Sequence, residues 1–387
     1  MARVVTSGFE LNSATAGVEF DGISAGTPSI VTSPVHNGSY ALQVSPSSAQ
    51  TAVRYNLYSS NQSNKIYVRA WVNIGVMPSS ATVLIGIDTV TSTQLGRLEI
   101  TSGGKLQLQN SSGTSIGSVS AALSTNTWYC LELSLDSSVN NGTVEGRING
   151  VVFSSAAGNA TAGAGRVIIG VSLINTTATI TFDDIAINDN TGSAQTGYPG
   201  LGIIARATPN AAGDSNTFLT QVGGTAGSAN NYTRVNEVTP DGTTSYNANI
   251  TVASDLFGVS VPTIPAGSTI NCVVVGGQFA NLTGADATAS FQWQIEKTGS
   301  GTISKSAAII PNSTTMTVNK GQAGVSAYPL TLYNDPDGNP WTPTTIASMQ
   351  IGYLMNTTNV DPIAISTVWA LVDYTPPSNP NDFFSFF

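Results

Sequence analysis

The residues able to do chemistry in this chain are few. There is one histidine, His36, in the run Ser33-Pro-Val-His-Asn-Gly38. A Ser/His/Asp catalytic group needs that histidine with an acid and a nucleophile positioned beside it. A histidine in a Pro/Gly turn just before a strand reads instead as a solvated loop residue. Zinc chemistry built on several histidines is excluded by count. Cleavage of a glycosidic bond needs two facing carboxyl groups. Glu132 and Asp136, with Ser134 between them, come nearest to such a pair, and no further acid completes the set. They read as surface carboxylates, and Asp183-Asp184 as a structural pair. Asp335-Pro-Asp-Gly-Asn339 opens with the alternating oxygens of a calcium loop, but Ile346 stands where the closing glutamate belongs. Pro336 and Pro340 make that run a rigid turn.

Aromatic side chains are the other chemical resource, because they stack on the apolar faces of sugars. In Ile66-Tyr-Val-Arg-Ala-Trp-Val-Asn-Ile74 the apolar set is 66, 68, 70, 72 and 74, so Tyr67 and Trp71 project from the opposite face. They either line an exposed sheet and meet a glycan, or lie under a loop or against a second domain. Trp293 alternates with Phe291 and Ile295 and reads as a core residue. Trp341 sits in Asn339-Pro-Trp-Thr-Pro343, a polar, proline-flanked loop where an exposed tryptophan would be a contact residue.

The elements that carry these residues are strands. Period-two alternation runs through residues 66–74, through Trp128-Tyr-Cys-Leu-Glu-Leu-Ser-Leu-Asp136, where Tyr129, Leu131, Leu133 and Leu135 share a face, and through 178–187. Turn clusters separate the runs, and Asn149-Gly150 is a two-residue hairpin signal. Further strands are expected at 245–260, 269–279, 289–296, 302–310, 346–354 and 365–374. Charged residues make up 9% of the chain and hydrophobic ones 41%. Such a composition supports a core and leaves little material for surface helices. The fold class is therefore all-β, as two tandem antiparallel β-sandwiches. Residues 1–189 form the first domain, 190–200 a linker, 201–375 the second domain and 376–387 an aromatic tail.

A net charge of -9, with 13 scattered Lys and Arg, provides no basic stripe for nucleic acid. No apolar run has signal-peptide or transmembrane length, so cytoplasmic synthesis without membrane insertion is expected. Cys130 and Cys272 each fall within a strand-like run, one per domain, and read as buried thiols.

Taken in order, Ser7-Gly-Phe-Glu10, Gly38-Ser-Tyr-Ala-Leu-Gln-Val44, Tyr67-Val-Arg-Ala-Trp71, Thr127-Trp-Tyr-Cys-Leu-Glu132, Gly146-Arg-Ile-Asn-Gly150 and Phe182-Asp-Asp-Ile185 resemble the laminin-G / concanavalin A-like jelly roll. Gly197-Tyr-Pro-Gly-Leu-Gly202, Pro209, Gly213-Asp214, Val235-Asn-Glu237 and Asp241-Gly-Thr-Thr-Ser-Tyr246 are similar to a module that follows this jelly roll in many tailed-phage virion proteins. The resemblance implies a structural protein on the virion surface, as head or tail decoration. Its partners would be other virion proteins and copies of itself. A glycan-binding adhesin for host polysaccharide is the alternative. A depolymerase is disfavoured, because the Glu-x-Asp-x-x-Glu run of jelly-roll glucanases is missing. By the same resemblance Glu10 and Asp184 stand where related carbohydrate-binding jelly rolls share a structural Ca²⁺, with two solvated acids as the other reading. Phe383, Phe384, Phe386 and Phe387 are the expected assembly contact, with folding of the tail onto its own second domain as the alternative.

Overall fold

Alternation becomes a half-buried strand when one side-chain set finds a partner sheet. In the computed structural model, which describes residues 2–57, 63–138, 142–284, 288–311, 313–319 and 329–377, this happens throughout. Ile66, Val68, Ala70, Val72 and Ile74 of strand Lys65–Val76 are wholly buried, as are Leu131 and Leu133 of strand Trp128–Asp136. The chain divides into two units, with the main change at Leu201/Gly202 and the segment 318–328 grouped with the first.

The first unit is a two-sheet antiparallel sandwich. One sheet runs Val151–Ala157, Thr143–Ile148, Trp128–Asp136, Lys65–Val76, Thr179–Asp189, Ala41–Val44, Ser29–Val31, with Arg3–Ser7 also pairing Thr179–Asp189. The other runs Ser115–Ile116, Leu106–Gln109, Gln94–Ile100, Thr82–Asp88, Arg166–Thr176, Ala49–Asn56, Gly22–Ala25. Their inner faces form one core, with Val68, Leu133 and Phe182 from the first sheet and Ile87, Leu98 and Ile169 from the second. The Asn149-Gly150 hairpin forms as its sequence predicts: both residues take positive φ, 51° and 80°, and Ile148 pairs with Val151.

The second unit is again antiparallel β. Strand Ile363–Thr375 is its spine. It pairs along one edge with Thr269–Asn281, and along the other with Ile203–Ala207 and Asn247–Asn249. Strand Ile203–Asn216 then changes partners. From Thr208 onward, through an irregularity just after Pro209, which has no N–H to give a ladder, its second half pairs with Ala253–Ser260. That strand continues the order through Met349–Met355 and Gln292–Lys297 to Ile303–Lys305. Trp293, fully buried, packs edge-to-face on Phe291 (4.9 Å) and Phe279 (6.2 Å). Several predicted elements are shorter than their sequence patterns. The run 245–260 is two strands, Tyr246–Asn249 and Ala253–Ser260, and 302–310 holds only Ile303–Lys305. Ile346 belongs to a helical turn, Pro343–Ala347, which Thr342 and Thr345 cap reciprocally. Among the described residues no helix is long and apolar enough to cross a membrane.

Candidate functional site

The polar and aromatic residues of the first unit gather on the outer face of the sheet holding Lys65–Val76. Antiparallel register sets them in rows. Trp71 lies between Cys130 and Asp183, Arg69 between Glu132 and Ala186, and Tyr67 between Ser134 and Asn188. Arg147 and Glu145 extend the last two rows, opposite Glu132 and Ser134.

One end of this face is built around His36. Its ring stacks on Trp71 (centroids 3.7 Å apart, planes at 17°) and meets Trp128 edge-on at 5.4 Å. Its Nδ1 lies 2.7 Å from Asp184 Oδ2, and its backbone N–H donates to Asp183 Oδ2 at 2.9 Å. Consecutive strand residues normally face opposite ways. Here a bulge between Asp183 and Ala186, with Asp184 at φ 49°, turns both carboxylates onto the same loop. Arg69, fully buried beneath, donates its Nε–H to the Asp184 carbonyl. His36 is therefore a clasp between the loop and strand Thr179–Asp189, in place of the solvated loop residue expected.

Glu10 completes this corner. Its carboxylate accepts the backbone N–H groups of Ser39 (2.9 Å) and Tyr40 (3.2 Å). The loop can approach so closely because Gly38 is a glycine at φ 74°; a Cβ there would come within 2.1 Å of Glu10 Oε1. Burial pushes the Glu10 carboxyl up to about 7 against those two hydrogen bonds, with the charges of Glu19 and Asp184 adding to the rise. Asp183 is pushed well above the usual carboxylate range by burial and by the charge of Asp184. As arranged, Glu10 is satisfied by N–H donors and Asp184 by the imidazole. Among the described residues no three His, Cys, Asp or Glu side chains converge to hold an ion. Ca²⁺ asks for six to eight oxygens, and this donor set does not fit it.

The other end of the face carries a strap, Gly197-Tyr-Pro-Gly-Leu201. Tyr198 donates its hydroxyl to Glu145 Oε1 (2.9 Å) and accepts from Ser134 Oγ–H (2.7 Å), and its ring lies edge-on to Tyr67 at 5.0 Å. The Arg147 guanidinium sits 3.6 Å over that ring. Gly200 N–H donates to Glu132 Oε1 at 2.9 Å, and Asn188 Nδ2 donates to the Gly197 carbonyl at 2.8 Å. Burial raises the Glu132 carboxyl, and the Gly200 N–H and the Arg69 and Arg147 charges oppose the rise. Glu132 is thus a buried anchor for the strap. Asp136, farther along, pairs with Lys65 at 2.8 Å.

The remaining expected site residues have different surroundings. Trp341 is 4% exposed, a correction to the exposed contact residue that its polar neighbours suggest. Asn339-Pro-Trp leads directly into the capped turn Pro343–Ala347, and the indole is buried there. Trp128, which the jelly-roll resemblance implies to be a core residue, is half-buried. Asp335 closes its own turn, accepting Asn339 N–H at 2.8 Å and pairing with Lys297 at 3.2 Å. Cys130 and Cys272 are buried and form no disulfide. Phe383, Phe384, Phe386 and Phe387 lie outside the described residues. Tyr198-Pro199 signals an ordered junction in the sequence, since a flexible linker would not use a rigid aromatic-proline pair; what the sequence does not signal is where Tyr198 docks and the clasp role of His36.

No protein-family profile matches the chain, and no curated protein is similar to it in sequence. Among solved structures it is similar to a sialidase over 41% of its length, at 14% identity and a TM-score of 0.33, spanning 16% of that chain. It is similar to domain 4 of AbnA, a GH43 extracellular arabinanase from Geobacillus stearothermophilus in complex with arabinotriose, over 49% of its length and 93% of that chain, at 18% identity and a TM-score of 0.35. It is also similar to the binding domain of Botulinum neurotoxin DC in complex with SialylT, over 48% of its length and 47% of that chain, at 13% identity and a TM-score of 0.35.

Proposed function

We propose that this chain is a non-enzymatic structural protein on the surface of a tailed-phage particle, joined to other virion proteins and to copies of itself. The observation that carries the reading is how the sheet's outer face is used. Its acids and aromatics are engaged by the protein's own His36 and by its Gly197–Leu201 strap, as supports of the fold. The resemblance over residues 197–246 supports the same reading, and its residues do framework work. Glu237 Oε1 accepts Ser245 Oγ–H at 2.6 Å, and Arg206 donates to the Val238 carbonyl at 2.7 Å. The test is quantitative mass spectrometry of purified particles. Hundreds of copies per particle mean head or tube decoration, a handful mean the tail tip, and none overturns the proposal.

A glycan-binding role is the second reading, favoured by half-buried Trp128 beside the His36–Trp71 stack. A glycan array on the intact protein tests it: retention lost in Trp128→Ala supports the adhesin, and no retention across the array removes it.

A further inference from the structure

The clasp around His36 leaves part of its own corner unused. His36 Nδ1 is taken by Asp184 Oδ2, and its backbone N–H by Asp183. The other ring nitrogen, Nε2, makes no hydrogen bond with a described residue, and 17% of the side chain stays exposed. With Nδ1–H given to the Asp184 carboxylate, the neutral ring presents Nε2 as an acceptor. Trp128 stands edge-on to that ring at 5.4 Å and is half-buried. Its indole N–H has no partner among the described residues and reaches solvent.

Antiparallel register puts Asn73 between Trp128 and Thr181, and Thr181 beside Gln43. Residues directly opposite in such ladders hold their Cβ atoms about 4.5–5.5 Å apart, so these side chains form one row. Asn73 belongs to the outer face because Val72 and Ile74, on either side of it, are in the core. It is 4% exposed, yet its amide makes no hydrogen bond with a described residue. Its neighbour Thr181, by contrast, accepts from Gln43 Nε2 at 3.4 Å. A buried amide normally finds its partners within the protein, and this one is left open beside Trp128. Two residues on, Gly75 puts no side chain over the next row; a Cβ there would meet nothing closer than 3.5 Å. The sheet next to Asn73 is therefore bare backbone.

The unused groups are mixed in kind. His36 Nε2 accepts, Trp128 Nε1–H donates, and Asn73 does both. A hydroxyl also does both, so a ring bearing several hydroxyls can satisfy all three. An anion only accepts, and it would meet the field of the adjacent Asp183 and Asp184 carboxyl groups. A cation only donates and leaves the indole N–H unmet. Trp128 and the His36–Trp71 stack add apolar ring surface for the C–H face of a sugar. From Trp128 to Gln43 the row crosses three strand spacings, about 14 Å, which is wider than one sugar ring. We infer that Trp128, Asn73 and His36 form a binding site for a neutral oligosaccharide on the outer face of this sheet, continued by Thr181 and Gln43. The inference rests on the glycan-binding reading above and adds to it the polar residues and the class of sugar.

Binding of defined sugars to the full 387-residue chain, on an array and then by titration of tryptophan fluorescence, tests it. The probes are neutral oligosaccharides of glucose, mannose and galactose, with oligogalacturonate as the acidic counterpart. The variants are Asn73→Ala, which deletes an amide that the fold does not bond, and Trp128→Phe, which keeps a ring and deletes the N–H. A neutral oligosaccharide is expected to be retained in preference to the uronate. Each variant is expected to bind it about three- to tenfold more weakly. The melting temperature of Asn73→Ala should stay at the wild-type value, which a structural amide would not allow. Equal binding by wild type and both variants overturns the site and leaves the glycan-binding reading standing with its site elsewhere. Preferential retention of the uronate overturns the inference on ligand class. A fall in melting temperature that accompanies lost binding in both variants makes these residues structural and overturns it too. No retention of any probe removes the site and the glycan-binding reading together.

Discussion

Replacing Glu10 with glutamine should stabilise the protein at pH 8 and do little at pH 4.5. Glutamine keeps an oxygen that can accept the Ser39 and Tyr40 N–H groups, and it removes a charge that the fold buries. The native carboxyl titrates near 7, against an ordinary 4.5. Its folded value is the higher one, so the folded state binds the proton more tightly than the unfolded chain does. That contribution is fully present below pH 4.5 and is lost as pH rises through about 7. At about 1.4 kcal/mol per pH unit the gap amounts to about 3 kcal/mol, an upper bound because the loop can relax. Glu237, also raised to about 7, and Asp255, raised to about 6, add dependence of the same sign from the second unit. The difference between wild type and Glu10→Gln isolates Glu10. Urea unfolding followed by tryptophan fluorescence, at half-unit steps from pH 4.5 to 8.5, measures it. The variant's advantage should open between pH 5 and 7.5 and then level off. An advantage that is the same at pH 5 and pH 8, or a destabilisation at pH 8, would refute the account of a buried, reluctant carboxylate.

Three further outcomes are expected. His36→Ala removes a stacked ring and the partner of a fully buried carboxylate, and should cost about 1–3 kcal/mol in urea unfolding; a change below about 0.5 kcal/mol would mean that the clasp is ornamental. Trp341→Ala should cost about 3–5 kcal/mol, as large cavities do, and leave any glycan retention on an array untouched, whereas the reverse pattern would restore Trp341 as a contact residue. EDTA should leave the melting temperature unchanged; a fall that excess Ca²⁺ reverses, and that Glu10→Ala abolishes, would show an ion at Glu10 and Asp184.

What the sequence made legible was local. The alternation at 66–74 and the Asn149-Gly150 turn depend on neighbours a few residues away, and both are found as written. Asp335-Pro-Asp-Gly-Asn339 is likewise a self-contained turn, closed by its own backbone. What stayed hidden depends on partners far along the chain. His36 meets acids 147 and 148 positions away. No periodicity announces such a contact, and the bulge that turns Asp184 onto the same loop breaks the alternation from which its direction would be read. Trp341 misled for a related reason. Its polar neighbours describe the chain beside it, whereas its burial, at 4% exposed, is a property of the folded chain that those neighbours do not report. The run 245–260 looked continuous because Ile250 and Val252 supply apolar residues in register, yet both point to solvent between two strands.

Strand Ile363–Thr375 has a mechanical consequence. It is hydrogen-bonded along both edges and runs from one pole of its unit to the other. A pull between the loop at Val360 and the chain leaving Pro377 is carried by the backbone of this one strand, which is already extended and held straight by ladders on both edges. A pull between Ile203 and Thr375 acts at one pole only, and opens the Ile203–Ala207 ladder one pair at a time. The same unit is therefore stiff to tension along its length and soft to peeling at the pole where the chain enters it.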